Sequence, residues 1–188
     1  DELEEERDNL NNSIDSIKKQ HTQESETYHD RINNKKELDN KISYHEQNNT
    51  IEEYKRAVEI DNKGSELKQE LESLKQNVGV KLEKIKKLGD LEYDESCEYC
   101  MKNPFTLDAI ETKKSIDIDK TKVKDLLKRI DGYNKWHNDN WTKVDSGHTD
   151  LIETTNALDK IILLINESKQ SKQLLDEKQK NYFNQLKF

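Results

Sequence analysis

Apolar residues recur through the first half of the chain in steps of three, four or seven. This is the heptad spacing of helices that bury one narrow seam against a partner helix. The stripe changes phase after Gln47-Asn48-Asn49-Thr50, and Gly89 ends it where a helix C-cap glycine belongs. The seam positions are Leu3, Leu10, Ile14, Ile17, His21, Tyr28, Leu38 and Ile42, then Ile51, Tyr54, Val58, Leu67, Leu71, Leu74, Val78, Leu82, Ile85 and Leu88.

A second heptad stripe fills the rest of the chain, and no strand-like alternation of useful length interrupts it. Asn103 followed by Pro104 predicts an N-cap and a first helical residue. Gly132 and Gly147 interrupt the pattern. The seam positions are Val123, Leu126, Ile130, Tyr133, His137, Trp141, Val144, His148, Leu151, Leu158, Ile162, Ile165, Leu175 and Leu186.

These patterns predict an all-α fold: a long antiparallel intramolecular coiled-coil hairpin. The ascending helix spans 1–93, with breaks near 48–50 and 61–65. The turn spans 94–104, and the descending helix spans 105–188, with breaks near 132 and 147. Folding about the turn places position i opposite roughly position 197 − i, in a rod of about 125 Å. The alternative is a shorter, spectrin-like helical bundle.

The register brings Gly64 and Gly132 to one level of the hairpin, about 50 Å from its tip. Because glycine inside a helix costs about 1 kcal/mol relative to alanine, we expect a joint there. Further along the second arm, Tyr133, Trp136, His137 and Trp141 predict an aromatic cluster. It is interpreted as internal packing, or alternatively as a docking surface.

Composition excludes several classes of protein. Of 188 residues, 38% are charged and 30% hydrophobic, with a single proline, so long helices are favoured over a large compact core. The net charge of −8 argues against DNA binding by this segment alone. No apolar run is long enough to span a membrane, and no signal peptide is visible. The chain begins and ends in helical pattern, which suggests a piece of a larger protein.

Both cysteines lie in the turn, at Cys97 and Cys100. Two thiolates three residues apart can bind one Zn²⁺ from a single turn, whereas a structural zinc site uses four ligands. His137 lies 37 positions beyond Cys100, too far along a helix to reach the turn. The simplest source of the missing ligands is a second copy of the chain, giving one zinc shared between two chains. Acidic residues surround the cysteines, and zinc would offset part of their repulsion.

Two other interpretations of the cysteines remain. A thioredoxin-like redox pair needs a helix N-terminus beside the first thiol and a βαβ context, and no strands are predicted. Alternatively, the two thiols are inert, or form a disulfide in air.

A coil, a Cys-x-x-Cys turn and a second coil together resemble the zinc hook of the Rad-fifty/SbcC ATPases, which are relatives of the structural-maintenance-of-chromosomes proteins. The motif match covers Cys97, Cys100 and Asn103-Pro104-Phe105; Glu98 stands where the family usually has proline. The resemblance also extends to a phage or viral relative of this family. The resemblance implies ATPase heads beyond this segment, an Mre-eleven/SbcD-type nuclease partner, DNA bound by the heads, and an intracellular protein of the cytoplasm, nucleoid or nucleus.

Two hypotheses of function follow. The first is a structural tether that joins two rods through zinc in double-strand-break repair and recombination. The second is a metal-free coiled-coil spacer or adaptor that displays docking surfaces. An enzymatic role for this segment is not expected, because no residues are arranged as a nucleophile with a base.

Overall fold

The computed structural model describes residues 2–89 and 96–186, and every regular element in them is helical. The elements are α1 (Glu2–Gln47), α2 (Thr50–Gly89), the single turn α3 (Glu98–Met101) and α4 (Pro104–Gln185). The all-α class expected from the sequence is therefore confirmed. None of the described helices is both long enough and apolar enough to cross a membrane.

The chain divides into two units, of which the first comprises Asp1–Ile51 and Ser146–Phe188. In this unit α1 and the C-terminal part of α4 run antiparallel. His21 pairs with Asp176 at 3.0 Å, and His45 pairs with Asp150 at 2.9 Å. These partners satisfy the register expected from the sequence to within two positions. The start of α1 and the end of α4 also meet in this unit, since Leu3, Leu10 and Leu186 line one cavity.

The seam of the first unit mixes apolar and polar side chains. Ile14, Ile17 and Ile165 are buried, and Ser168 is completely buried. The guanidinium of Arg31 reaches across from α1, and its Nη1 donates to Ser168 Oγ at 2.5 Å and to the carbonyl of Leu164 at 2.6 Å. Because the buried hydroxyl needs a partner, this cross-helix contact favours one register of the two helices.

The break expected near 48–50 is present. α1 ends at Gln47, Asn49 adopts the left-handed conformation with φ of 50°, and α2 begins at Thr50. Asparagine tolerates this conformation better than most residues. His45 is buried beside the break, where Nδ1 lies 3.2 Å from Thr50 Oγ1 and Nε2 lies 2.9 Å from Asp150 Oδ2. The histidine thus ties both sides of the break to α4.

The second unit, Glu52–Asp145, packs α2 against the N-terminal part of α4. Its buried centre is Leu71, Leu126 and Ile130. Lys81 Nζ donates to Asp119 Oδ2 at 2.5 Å, and Asp119 lies three positions from the partner that the register 197 − i gives for Lys81. Leu67, Leu74 and Val123 pack around the central cluster.

Near the end of α2, the predicted seam is shifted by one position from the observed seam. Leu82 is 52% exposed, and the next seam position after Val78 is occupied by Lys81 instead. The alternating steps of three and four from Leu71 explain this, because they lead to position 81. The side chain of Asp119, the partner of Lys81, is only 8% exposed, so an ion pair lies within the seam. Other predicted seam residues that are exposed are Leu3, Ile51 and Ile162.

The breaks expected near 61–65, 132 and 147 are also wrong, because α2 and α4 continue through them. Gly64 is buried, and a Cβ there would lie 2.3 Å from the ring of Tyr133. The absence of a side chain at Gly64 makes room for the Tyr133 ring, and the helix is not broken there. A Cβ at Gly132 would meet nothing within 4 Å. Packing along the seam maintains helices that isolated glycines destabilise only modestly.

The expected aromatic cluster is present in part. His137 stacks on Trp141 with ring centroids 5.6 Å apart, and the centroid of the Tyr133 ring lies 5.7 Å from that of His137, with the two rings tilted by 57°. From α2, Tyr54 approaches Trp141 at 6.4 Å. These rings pack between the two helices, in agreement with the interpretation as internal packing.

Candidate metal centre

Cys97 and Cys100 lie at the two ends of one helical turn. Cys97 is the N-cap of α3, with φ of −83° and ψ of 107°, and its Sγ accepts a hydrogen bond from the backbone N–H of Cys100 at 3.4 Å. Neither cysteine forms a disulfide, and both are half-buried. The spacing of three residues therefore brings the two side chains to the same side of the turn.

The residues after the cysteines fix where α4 begins. Lys102 closes α3 through its N–H to the carbonyl of Glu98, and the two side chains form an exposed ion pair at 2.5 Å. The Oδ1 of Asn103 accepts from the N–H of Phe105 at 2.9 Å, and Pro104 is the first helical residue. The predicted N-cap is therefore confirmed, and only Lys102 and Asn103 separate the two helices.

The electrostatics at Cys97 favour its thiolate. A hydrogen bond from the Cys100 side chain, joined by the backbone N–H of Cys100, lowers the pKa of the Cys97 thiol from its ordinary value. Since zinc binds thiolate sulfur, a pair of cysteines on one turn fits half of a tetrahedral Cys₄ site. Within the described residues, no group of three or more His, Cys, Asp or Glu side chains could hold a metal ion.

The acidic residues expected to surround the cysteines are only partly described. Asp90, Glu92, Asp94 and Glu95 lie outside the described residues. Glu98 pairs with Lys102. Further along α4, Asp108 forms an ion pair with Lys84 of α2. Glu98 and Asp108 therefore each pair with a lysine.

The seam histidines have partners of their own. His137 Nε2 lies 3.6 Å from Asp61 Oδ1, in the middle of the second unit. His21 and His45 belong to the first unit and face Asp176 and Asp150. The contacts of His21 and His137 agree with their predicted seam positions, whereas the heptad pattern does not predict His45 in the seam.

Two features of this region could not be predicted from spacing alone. The position of Cys97 as an N-cap meets one of the two conditions set for a redox pair, although the described residues contain no strand to meet the other. The exposure of Tyr99 and Phe105, at 86% and 79%, also required the structure.

Searches of protein families, of curated proteins and of solved structures find no match to this chain.

Proposed function

We propose that this chain is a structural tether: an antiparallel coiled-coil hairpin that joins a second copy of itself through one zinc ion. Each copy contributes Cys97 and Cys100, and the four thiolates complete the metal site. The observation that carries the proposal is that both thiols share one turn, with a hydrogen bond that favours the thiolate of Cys97.

Chain topology in the second unit supports this proposal. The chain runs along α2, passes the cysteines and returns along α4 in antiparallel contact with α2. Cys97 and Cys100 therefore belong to the connection between the two helices, where a partner has access. The half-buried thiols and the exposed Tyr99 and Phe105 agree with such access.

Zinc would neutralise thiolate charge and link the two turns, which otherwise repel one another. The chain's own residues hold the turn ready: Cys97 caps α3, and the Glu98–Lys102 pair and Asn103 close it. The long helices keep their shape without metal, because their seams are packed by side chains from both partners. Metal is thus expected to control association, with little effect on helix content.

The wider role rests on the resemblance to the Rad-fifty/SbcC zinc hook. On that basis, the tether links the ATPase heads of an intracellular double-strand-break repair complex. Its heads bind DNA and work with a nuclease subunit. The segment itself performs no catalysis in this proposal.

A metal-free coiled-coil spacer or adaptor is the second candidate. It is favoured by the seam contacts within each unit, such as Arg31 to Ser168 and Lys81 to Asp119, which need no metal. Exposed apolar residues, including Leu82 and Leu163, offer surfaces for a partner.

Zinc stoichiometry and mass in solution separate the two candidates. The tether requires half a zinc per chain and a dimer that dissociates when a chelator removes the metal. The variant Cys97→Ser with Cys100→Ser should be a metal-free monomer of unchanged helix content. One zinc bound by a monomer, or a dimer indifferent to chelation, would contradict the tether.

A matched control changes the same turn and keeps both thiols. Glu98→Gln with Lys102→Gln removes an exposed ion pair, which contributes at most about 1 kcal/mol. This variant should retain zinc and the dimer. If it loses both, the cysteine result reflects damage to the turn, and the zinc-mediated tether is not supported.

A further inference from the structure

A groove with an apolar floor follows one side of the second unit, between α2 and α4. Its floor is formed by Val78, Leu82 and Val123 around Gly79, and its volume is about 440 Å³. Leu82 is 52% exposed because it lies one position outside the seam. The floor continues inward to the central cluster, since Val123 packs against it. An apolar strip connected to the buried core is thus left open to solvent.

Gly79 gives the groove its depth. A Cβ at this position would meet no atom within 4 Å, so nothing inside the second unit requires glycine there. Gly64 is different, because the ring of Tyr133 occupies the space of its missing side chain. The space at Gly79 is therefore available to a group from outside the unit.

Lysines form the rim of this groove. Its other lining residues are Lys75, Lys120 and Lys124, and no carboxylate of the described residues lines it. Another groove of the same unit has a mixed lining, with Glu70 and Asp125 beside Lys122 and Arg129. The single sign of charge thus distinguishes the Val78–Val123 groove from a neighbour built on the same two helices.

These lysines are available to carboxylates from a partner. Lys75 approaches Glu72 at 3.7 Å and Lys120 approaches Asp117 at 3.3 Å, within one helix in each case. All four side chains are more than half exposed, and such pairs contribute little to stability. Breaking these two ion pairs so that the lysines can bind the carboxylates of a partner therefore costs little free energy.

We propose that the Val78–Val123 groove docks an amphipathic helix of another protein, whose apolar side chains are flanked by carboxylates. Along α2 the groove extends from Lys75 to Leu82, which is two helical turns or about 10 Å. It can receive apolar residues spaced i, i+3 or i+4, and i+7 from an incoming helix. The lysines then face the acidic flanks of that helix and set its specificity.

Charge and shape favour this occupant over two others. In a symmetric dimer formed through this face, the same three lysines would confront their own copies, which is unfavourable. An anionic membrane would attract the lysines, but its flat surface does not enter a recess between two helices. The proposal does not depend on zinc, because the groove contains neither cysteine.

The test uses the full chain and a fluorescent synthetic peptide helix, with leucines at i, i+3 and i+7 flanked by glutamates. We expect saturable binding by fluorescence anisotropy, weakening as salt rises from about 25 to about 200 mM. A peptide with every glutamate replaced by lysine should bind at least about tenfold more weakly. Repetition with Cys97→Ser and Cys100→Ser should give the same affinity, which separates this proposal from the zinc tether.

Three variants locate the site. Gly79→Leu fills the recess from a Cβ that would meet no atom within 4 Å, and leucine favours the helix, so this variant should abolish binding while the protein remains folded. Lys120→Glu with Lys124→Glu should weaken binding by roughly tenfold or more. The matched control, Lys122→Glu with Arg129→Glu, reverses charge in the neighbouring groove and should leave the affinity unchanged.

Each result of these experiments either supports or overturns the proposal. Loss of binding with the first two variants and retention with the third supports the proposal. Equal affinity for the lysine peptide, or binding that survives Gly79→Leu, overturns it. Two further results would also overturn it by identifying a different occupant. One is self-association of the chain that Gly79→Leu abolishes, and the other is binding to phosphatidylserine vesicles that displaces the peptide.

Discussion

Each of the two units is a pair of antiparallel helices, and the two pairs are stabilised differently. In the second unit, Leu71, Leu126 and Ile130 form an apolar centre, next to which Tyr133 fills the space at Gly64. In the first unit, the seam includes Ser168 and His45, each bonded to a side chain of the opposite helix. Apolar contacts provide stability without direction, whereas buried hydrogen bonds require specific partners. The second unit should therefore respond most to lost volume, and the first to lost partners.

Leu126→Ala should have the largest effect, and it should be confined to the second unit. The residue is 3% exposed at the centre of the apolar cluster, and such truncations cost about 2–5 kcal/mol. Hydrogen exchange of amides 66–78 and 120–132 should accelerate, while amides 14–35 keep their protection. Leu127→Ala is the control, because that neighbour is 43% exposed. An equal loss of protection in both units would contradict this difference between their seams.

Gly64→Ala should destabilise the second unit by about 1–3 kcal/mol, although alanine is the better helix former. The added methyl would lie 2.3 Å from the Tyr133 ring, which must move. Gly132→Ala meets open space and should stabilise the same unit by about 0.5–1 kcal/mol. Chemical denaturation of both variants checks the signs. If Gly64→Ala is also stabilising, the close approach of Tyr133 does not control this position.

Arg31→Met should destabilise the first unit by about 1–2 kcal/mol. The methionine side chain largely replaces the methylenes of Arg31. However, Ser168 Oγ and the Leu164 carbonyl lose their hydrogen-bond donor. Adding Ser168→Ala should recover part of the loss, because the buried hydroxyl is then removed as well. The double-mutant cycle measures this coupling. Additive effects would mean that the contact contributes nothing specific to register.

The smallest effect concerns Tyr133 at high pH. Its hydroxyl donates to Asp61 at 2.7 Å, and that bond, with burial and the Asp61 charge, raises the pKa of Tyr133 to about 12 from 10.0. The stabilising contribution is complete below about pH 10 and is lost as pH rises through about 12. Tyr133→Phe should therefore show a weaker fall in unfolding free energy between pH 10 and 12. Identical pH profiles would exclude the Asp61 bond as a stabilising contact.

Sequence patterns located most elements but placed some seam residues one position away. The break at Asn48-Asn49 and the Asn103 cap depend on local chemistry, so they could be read directly from residue types. The seam near Leu82 could not be predicted in this way, because Lys81 and Leu82 are neighbours and either could occupy the seam position. The structure assigns the seam to Lys81, whose ammonium is satisfied by Asp119 from α4. For the candidate metal centre, spacing identified Cys97 and Cys100, while the cap at Cys97 became visible only with the fold.

The sequence by itself determined that the chain is helical, that its helices bury narrow seams, and that two thiols share one turn. These properties follow from heptad spacing, scarce proline and glycine, and the interval between two cysteines, all of which are local. Only the tertiary structure decided what Gly64 does and which polar residues enter the seams. Both depend on atoms far apart in the chain, since Gly64 meets Tyr133 and Arg31 meets Ser168. A local pattern shows only that a glycine or a serine is unfavourable inside a helix. The contact that offsets this cost comes from the opposite helix, so a local pattern does not reveal it.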